Sequence, residues 1–367
     1  MTTRFVLSVD GGGIRGVGPA QMLVHLNKAL EDAGKTPVAA LFDLMVGTST
    51  GSIVTAALAA STHEPLKAYA DPKAIVAIYQ ARGREIFPKS LWTLLPGILR
   101  QKYSSDPIRR ILTDVFGDMT LGQLKRNFMA TFYSMRSVGQ SKTPNKPRTV
   151  FAHGGDNYPP PGPGQPAYEF YGDVLLREAV QASTSAPTFF NPTEVRDPNG
   201  RARRHRHGQP IEIDTGFVAI DGGVFANTPS VCAYVEARKL WPEPGDEIIV
   251  VSVGCGQAET IYPSGVKTWG LAEWISPGQG VPLMKAVGHG QTDSANHQME
   301  CLLPARHFRL QFSLQGISKE MDDASEKNIN DLIRAADLEM AKPETQDLVR
   351  QIVALAPPKP EPEPPAP

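Results

Sequence analysis

Residues 47–51 read Gly47-Thr48-Ser49-Thr50-Gly51, a G-x-S-x-G pattern. An apolar run, Leu41–Val46, precedes it, and a helix-forming run, Ser52–Ala60, follows it. Strand, sharp turn and helix in that order hold a serine on a strained elbow, with its hydroxyl projecting above the end of a sheet. Gly47 and Gly51 permit the tight turn and leave room for a substrate carbonyl. Ser49 is therefore the candidate nucleophile. The competing reading is a small-residue turn before a helix, with Ser49 or Ser52 as its cap.

A second glycine cluster weighs on that choice. The apolar strand Phe5–Val9 runs into Asp10-Gly11-Gly12-Gly13-Ile14-Arg15-Gly16, and a helical stretch follows from Val17 to about Asp32. Gly11, Gly12 and Gly13 put several backbone N–H groups at a helix N-terminus, where aligned donors and the helix dipole stabilise negative charge. An acyl-transfer enzyme needs such donors at its oxyanion, and a nucleotide site needs them at phosphates. Gly11, Gly13 and Gly16 also match G-x-G-x-x-G. A dinucleotide unit would need a second strand ending in an acid about 20 residues on. Glu31 and Asp32 stand at that distance but end a helix. The G-K-[ST] ending of a P-loop is absent.

The third feature is Ala219-Ile220-Asp221-Gly222-Gly223. Asp221 ends an apolar run, so its carboxylate sits at a strand terminus; a plain Asp-Gly turn is the bland alternative. Beside Ser49 and the glycine turn, a general base is the better reading. A Ser-His-Asp triad would place a histidine after the acid. That leaves His289, His297 and His307, with His289 the best placed. No Cys/His spacing resembles a zinc site.

These three blocks, in this order, resemble the patatin-like phospholipase family. The likeness extends over residues 4–300 and includes Tyr103–Pro107, Phe116–Leu121, Ala182–Pro187, Asp221–Pro229 and Val251–Gly256. The resemblance implies a three-layer α/β fold with a mainly parallel central sheet and helices on both faces. It implies Ser49 as nucleophile, Asp221 as general base of a Ser–Asp dyad, and Gly11, Gly12 and Gly13 as oxyanion donors. Arg15 would contact a lipid phosphate, or equally pair with an acid at the turn. The implied substrate is membrane glycerophospholipid, and the chemistry requires neither cofactor nor calcium. Stand-alone bacterial members of about this length include antiphage effectors switched on by cyclic nucleotides, so a cyclic di- or oligonucleotide activator is a further implied partner. Thr228 and Cys255 depart from residues common in the family. A nucleotide-responsive binding module without hydrolysis stays the rival from another class.

The elements that must position these groups follow from periodicity. Strands are expected at Phe5–Val9, Asp43–Val46, Phe128–Ser134, Val218–Ile220 and Ile248–Val253. They alternate with helical patterns at 17–32, 51–60, 71–84, 106–115, 173–182 and 228–239, with packed helices at 279–300 and 327–355. That alternation argues for a mainly parallel sheet covered by helices. We expect one domain over 1–355 and a Pro-rich disordered tail over 356–367. Gly139–Gln165 reads as a long irregular loop, and Arg201–His207 as a basic loop that meets solvent, anionic headgroups or a nucleotide. Phe87–Arg100 reads either as short core helices or as a membrane-dipping cover with Trp92 as anchor.

The 367 residues carry a net charge of -1, which gives no pull towards nucleic-acid polymers. Three scattered cysteines, Cys232, Cys255 and Cys301, suit a reducing cytosol. The start of the chain lacks the n-region, h-region and cleavage site of a secretory signal, and no apolar run would span a bilayer. The expectation is a cytoplasmic protein that visits the inner face of the membrane peripherally. A homo-oligomer stays compatible with all of this.

Overall fold

The computed structural model describes residues 2–88, 102–138, 148–155, 172–196, 216–258, 264–276 and 281–360, with the backbone of 205–206 and 209–210. Its strands are β1 (Thr3–Val9), β2 (Leu44–Thr48), β3 (Asn127–Val138), β4 (Arg148–Gly154), β5 (Thr193–Arg196), β6 (His205–Arg206), β7 (Gln209–Pro210), β8 (Gly216–Asp221), β9 (Glu247–Val253) and β10 (His307–Leu310). Its helices are α1 (Val17–Asp32), α2 (Val38–Leu41), α3 (Thr50–Ala60), α4 (Pro72–Ile86), α5 (Asp106–Phe116), α6 (Leu176–Ser183), α7 (Gly223–Ala226), α8 (Ser230–Leu240), α9 (Leu271–Trp274), α10 (Pro282–Leu302), α11 (Glu326–Met340) and α12 (Pro343–Leu355). No helix among the described residues is long and apolar enough to cross a membrane.

The central strands read as near-continuous apolar runs because both their faces are covered. Phe5, Leu7 and Val9 of β1, Met45 of β2 and Ile249, Val251 and Val253 of β9 enter one core, with α1, α3, α4 and α11. The alternate residues Val6, Leu44, Val46, Ile248 and Val250 enter a second core on the opposite face, with α8 and Met299 of α10. The period of two along each strand thus produces a mixed α/β architecture of three layers, as expected.

β10, β9, β1, β2 and β3 run parallel in that order. β3 then organises the rest. Residues 128–134 of β3 pair antiparallel with β4 along one edge. On the other edge, Asn127–Thr131 pair parallel with β2, and Phe132–Val138 pair antiparallel with β8. β2 and β8 therefore lie end to end on one edge of β3, with their C-terminal ends facing each other. Thr48 is opposite Thr131, and Asp221 is opposite the next residue, Phe132.

Several expectations need correction. The stretch 139–165 is not loop throughout: Arg148–Gly154 form β4, because the β-prone run Thr149–Phe151 outweighs its Pro- and Gly-rich flanks. The helix expected over 327–355 is two helices, broken where Pro343 takes the first turn of α12. β5 and β10 carry four residues each, too short to show a period. The segment expected as a tail from 356 begins tied down: Thr36 N–H donates to Pro357 O at 3.1 Å and Lys359 N–H to Gly34 O at 3.0 Å. Residues 361–367, the apolar stretch 89–100, most of 139–165 outside β4, and the side chains of 201–207 lie outside the described residues.

A buried histidine–glutamate contact lies beside the second core. His153 on β4 and Glu236 on α8 lie 3.2 Å apart with both side chains 3% exposed, and Lys239 meets Glu236 at 2.9 Å. Burial alone would push the Glu236 carboxyl up, but His153 and Lys239 outweigh it and hold it at about 2. Its stabilisation is therefore complete above its unfolded value near 4.5 and is lost as pH falls towards 2. Replacing His153 by Ala leaves a buried carboxylate short of a partner. Urea unfolding at pH 7 should show a loss of about 3–5 kcal/mol, and Glu236→Gln should flatten the acid limb of stability against pH.

Candidate active site

Ser49 stands between β2 and α3 at φ 53°, ψ −128°, a conformation costly for a residue with a side chain. Close packing enforces the bend. A Cβ on Gly51 would lie 2.2 Å from the Val9 carbonyl oxygen, so α3 can start against the end of β1 only with glycine there. A Cβ on Gly47 would meet the backbone of Gly51 and Ser52 at 2.4 Å. The Ser49 N–H donates to Ser183 Oγ at 2.9 Å, and its carbonyl accepts the Ser52 hydroxyl at 2.6 Å. The side chain is thereby left free of capping duty at the head of α3.

The glycine turn lies against this elbow. A Cβ on Gly11 would come within 3.2 Å of Ser49 Cβ. Gly11 N–H is already used: it donates to Asn227 O at 3.0 Å. Gly12 and Gly13 N–H meet no acceptor among the described residues. Gly13 takes φ 60° and abuts the Met321 carbonyl, which also accepts Ile14 N–H at 2.8 Å. Of the three glycines expected as donors, Gly11 has its N–H engaged by Asn227 here. The turn leads into a short 3-10 helix, Gly13–Gly16, and then α1, so two helix N-termini converge on Ser49. Arg15 is half-buried, and its Nε donates to Gly12 O at 3.2 Å. Burial lowers its pKa, and Cys255 and Glu320 work against that.

Asp221 is 4% exposed at the end of β8, close enough to Ser49 that the serine hydroxyl favours its charged form. Gly223 N–H donates to Oδ1 at 2.7 Å. Burial pushes the carboxyl up to about 7, against the pull of those two donors. Asp221 N–H donates to Ser185 O at 3.0 Å. Ser183 and Ser185, two residues apart at the end of α6, therefore hold the backbone of both Ser49 and Asp221. No histidine is among the groups that set the Asp221 charge. His289 is exposed on α10, and His307 bonds Ser252 Oγ at 2.8 Å. No group of three His, Cys, Asp or Glu side chains among the described residues is arranged to hold a metal.

The residues that sequence reading missed lie beneath the turn. Asp10 accepts a bidentate pair from Arg309 of β10, at 3.0 and 2.5 Å, and the Thr228 hydroxyl at 3.0 Å. Both ends of the ion pair are largely buried. Burial opposes the Arg309 charge, but Asp10 more than restores it, so its pKa rises. Cys255 donates to Asp10 O at 3.1 Å and fills the space a Cβ on Gly12 would need, 2.4 Å away. The two departures at 228 and 255 are thus supports for the turn. Asp10 carried a signal, a carboxylate at a strand end before three glycines; Arg309 carried none. Arg309→Met should cost about 3–5 kcal/mol, because it strands a buried carboxylate. Adding Asp10→Asn should recover part of that loss in a double-mutant cycle of urea midpoints.

Residues 7–230 match the sequence model of the family described as patatin-like phospholipase. Patatin-like protein 2 of Oryza sativa subsp. indica is 26% identical over 369 residues, covering 92% of this chain and 84% of that protein. Patatin-like protein 2 of Arabidopsis thaliana is 25% identical over 368 residues, covering 92% and 83%. Patatin-17 of Solanum cardiophyllum is 25% identical over 366 residues, covering 93% and 85%. With more than half its length matched, the chain belongs to the patatin-like phospholipase family.

Proposed function

We propose that this lipid acyl hydrolase cleaves glycerophospholipid esters through a Ser49–Asp221 dyad. The observation that carries the reading is the adjacency of a strained elbow serine and a buried strand-end carboxylate, brought together by consecutive residues of β3, with no histidine among the groups that set the carboxylate's charge. Ser49 Oγ attacks the ester carbonyl carbon while Asp221 takes the hydroxyl proton. Gly12 and Gly13 N–H receive the charge that develops on the carbonyl oxygen. As the tetrahedral intermediate collapses, the carbon–oxygen bond to the glycerol breaks, and Asp221 returns the proton to the departing alkoxide. A water then attacks the acyl-serine with Asp221 again as base, and fatty acid and free Ser49 result. Arg15, beside the donor turn, is suited to the lipid phosphate.

A finer reading concerns control. An acyl hydrolase inside a cell needs restraint, and activation by a cyclic di- or oligonucleotide in antiphage defence is the control that the family resemblance brings. Fatty-acid release from vesicles should then rise at least about tenfold with one member of a cyclic-dinucleotide panel. A rate indifferent to the whole panel removes this part of the reading and leaves the dyad intact.

Ser49→Ala and Asp221→Asn should each lower kcat/KM by about 10⁴-fold or more, and the double variant should lose little further, since the two groups act as a unit. A fluorophosphonate probe should label the wild type and spare Ser49→Ala. The base must be ionised, so activity should climb as pH rises through about 7. Full activity in Asp221→Asn with loss in His289→Ala would establish a triad instead. Stability carries the opposite sign. Between the ordinary value of 3.8 and about 7, the folded chain holds a proton that the unfolded chain has released, so stability falls as pH rises. Asp221→Asn should therefore raise Tm above pH 7 while abolishing turnover.

A further inference from the structure

Helix α10 carries one apolar stripe that is half used. Leu283, Met284, Val287, Gln291, Ala295 and Met299 share a side at helical spacing. Ala295 and Met299 are buried, Met299 in the second core. Leu283, Met284 and Val287 continue the same stripe but are 45%, 51% and 42% exposed. Just before them Leu271 and Ile275, in and after α9, are 75% and 47% exposed, and α9 touches α10. Five of the eleven strongly exposed large apolar side chains among the described residues thus fall within 271–287.

Gln291 ties this surface to the site. Its Nε2 donates to Val224 O at 3.1 Å, and its Oε1 accepts Asn227 N–H at 3.3 Å. Val224 and Asn227 follow Asp221 directly, and Asn227 O holds Gly11 N–H. Val287 lies one turn from Gln291, a rise of about 6 Å. The apolar surface therefore begins one helical turn from the residue that braces the segment after Asp221.

We propose that Leu271, Ile275, Leu283, Met284 and Val287 form the surface that seats the protein on a bilayer containing anionic lipid; this rests on the acyl-hydrolase reading above. The composition fits the headgroup–acyl boundary. Trp269 and Trp274 meet edge to face at 5.2 Å, and indoles favour that depth. Lys267 and Lys285 are exposed at its margin, and the one acid among the described residues of 264–290, Glu273, accepts Gly270 N–H at 2.9 Å. Positive charge around an apolar patch complements anionic headgroups. A second copy meeting this face by two-fold symmetry would bring like lysines together. The patch is also far smaller than the roughly 20–30 residues a side of a stable dimer.

The test uses the triple variant L271S/M284S/V287S. Partition onto phosphatidylcholine vesicles containing phosphatidylglycerol is measured by co-sedimentation in a Ser49→Ala background, so that lipid is not consumed. Partition should fall at least about tenfold. In the active background, fatty-acid release from vesicles should fall in parallel, while turnover of soluble p-nitrophenyl butyrate stays within about twofold. Leu271→Ser alone, at the most exposed position, replaces the triple variant if that fails to fold. Unchanged partition overturns the proposal. So does an equal loss on both esters with a depressed Tm, or a wild-type dimer that the substitutions dissociate without altering partition. A wild type that binds vesicles through this patch yet cleaves neither ester supports the surface and defeats the hydrolase reading.

Discussion

Two strand ends meeting on one edge of β3 are the constraint on which the rest depends. Thr48 and Asp221 pair with consecutive residues, Thr131 and Phe132. One residue along a strand is about 3.3 Å, so a slip of either strand by one position would part Ser49 from Asp221. The twelve residues of β3 are needed because it hosts both partners in series. The Thr48 and Thr131 hydroxyls meet at 2.7 Å at the junction, and a Cβ on Gly222 would collide with Thr131. Ser183 and Ser185 then fix the two backbones from a third direction.

What the chain makes legible is local. The elbow, the glycine turn and the strand-end aspartate each declare themselves within a few residues, because a strained turn or a strand terminus restricts composition on the spot. The boundaries of β1, α1, α3, α5 and α8 follow period and caps, to within two residues of the expected ones. What the chain hides is pairing across distance. Asp10 with Arg309 and His153 with Glu236 join residues far apart, and nothing adjacent to Arg309 or Glu236 advertises the partner. The end-to-end approach of β2 and β8 is hidden for the same reason, since strand order is not written in strand periodicity. β4 was obscured by its setting, an apolar run between Pro- and Gly-rich segments.

The site concentrates unfavourable terms. Ser49 holds a backbone conformation that residues with side chains avoid, and Asp221 holds a carboxylate where water does not compensate it. Neither would persist on a loose scaffold. The surrounding structure over-determines both, through glycines that admit backbone within van der Waals reach and through buried groups beneath the turn. Local rules fail twice within this one small region, which is the pattern expected where structure serves chemistry rather than stability.

The order of synthesis gives the Asp10–Arg309 pair a temporal meaning. A nascent chain emerges with Asp10 and the glycine turn before Ser49. Asp221 follows much later, and β9 and β10, which flank β1 on its other side, come after that. The ion pair beneath the turn closes only when residue 309 has left the ribosome. A growing chain therefore presents Ser49 before the support beneath the glycine turn is in place.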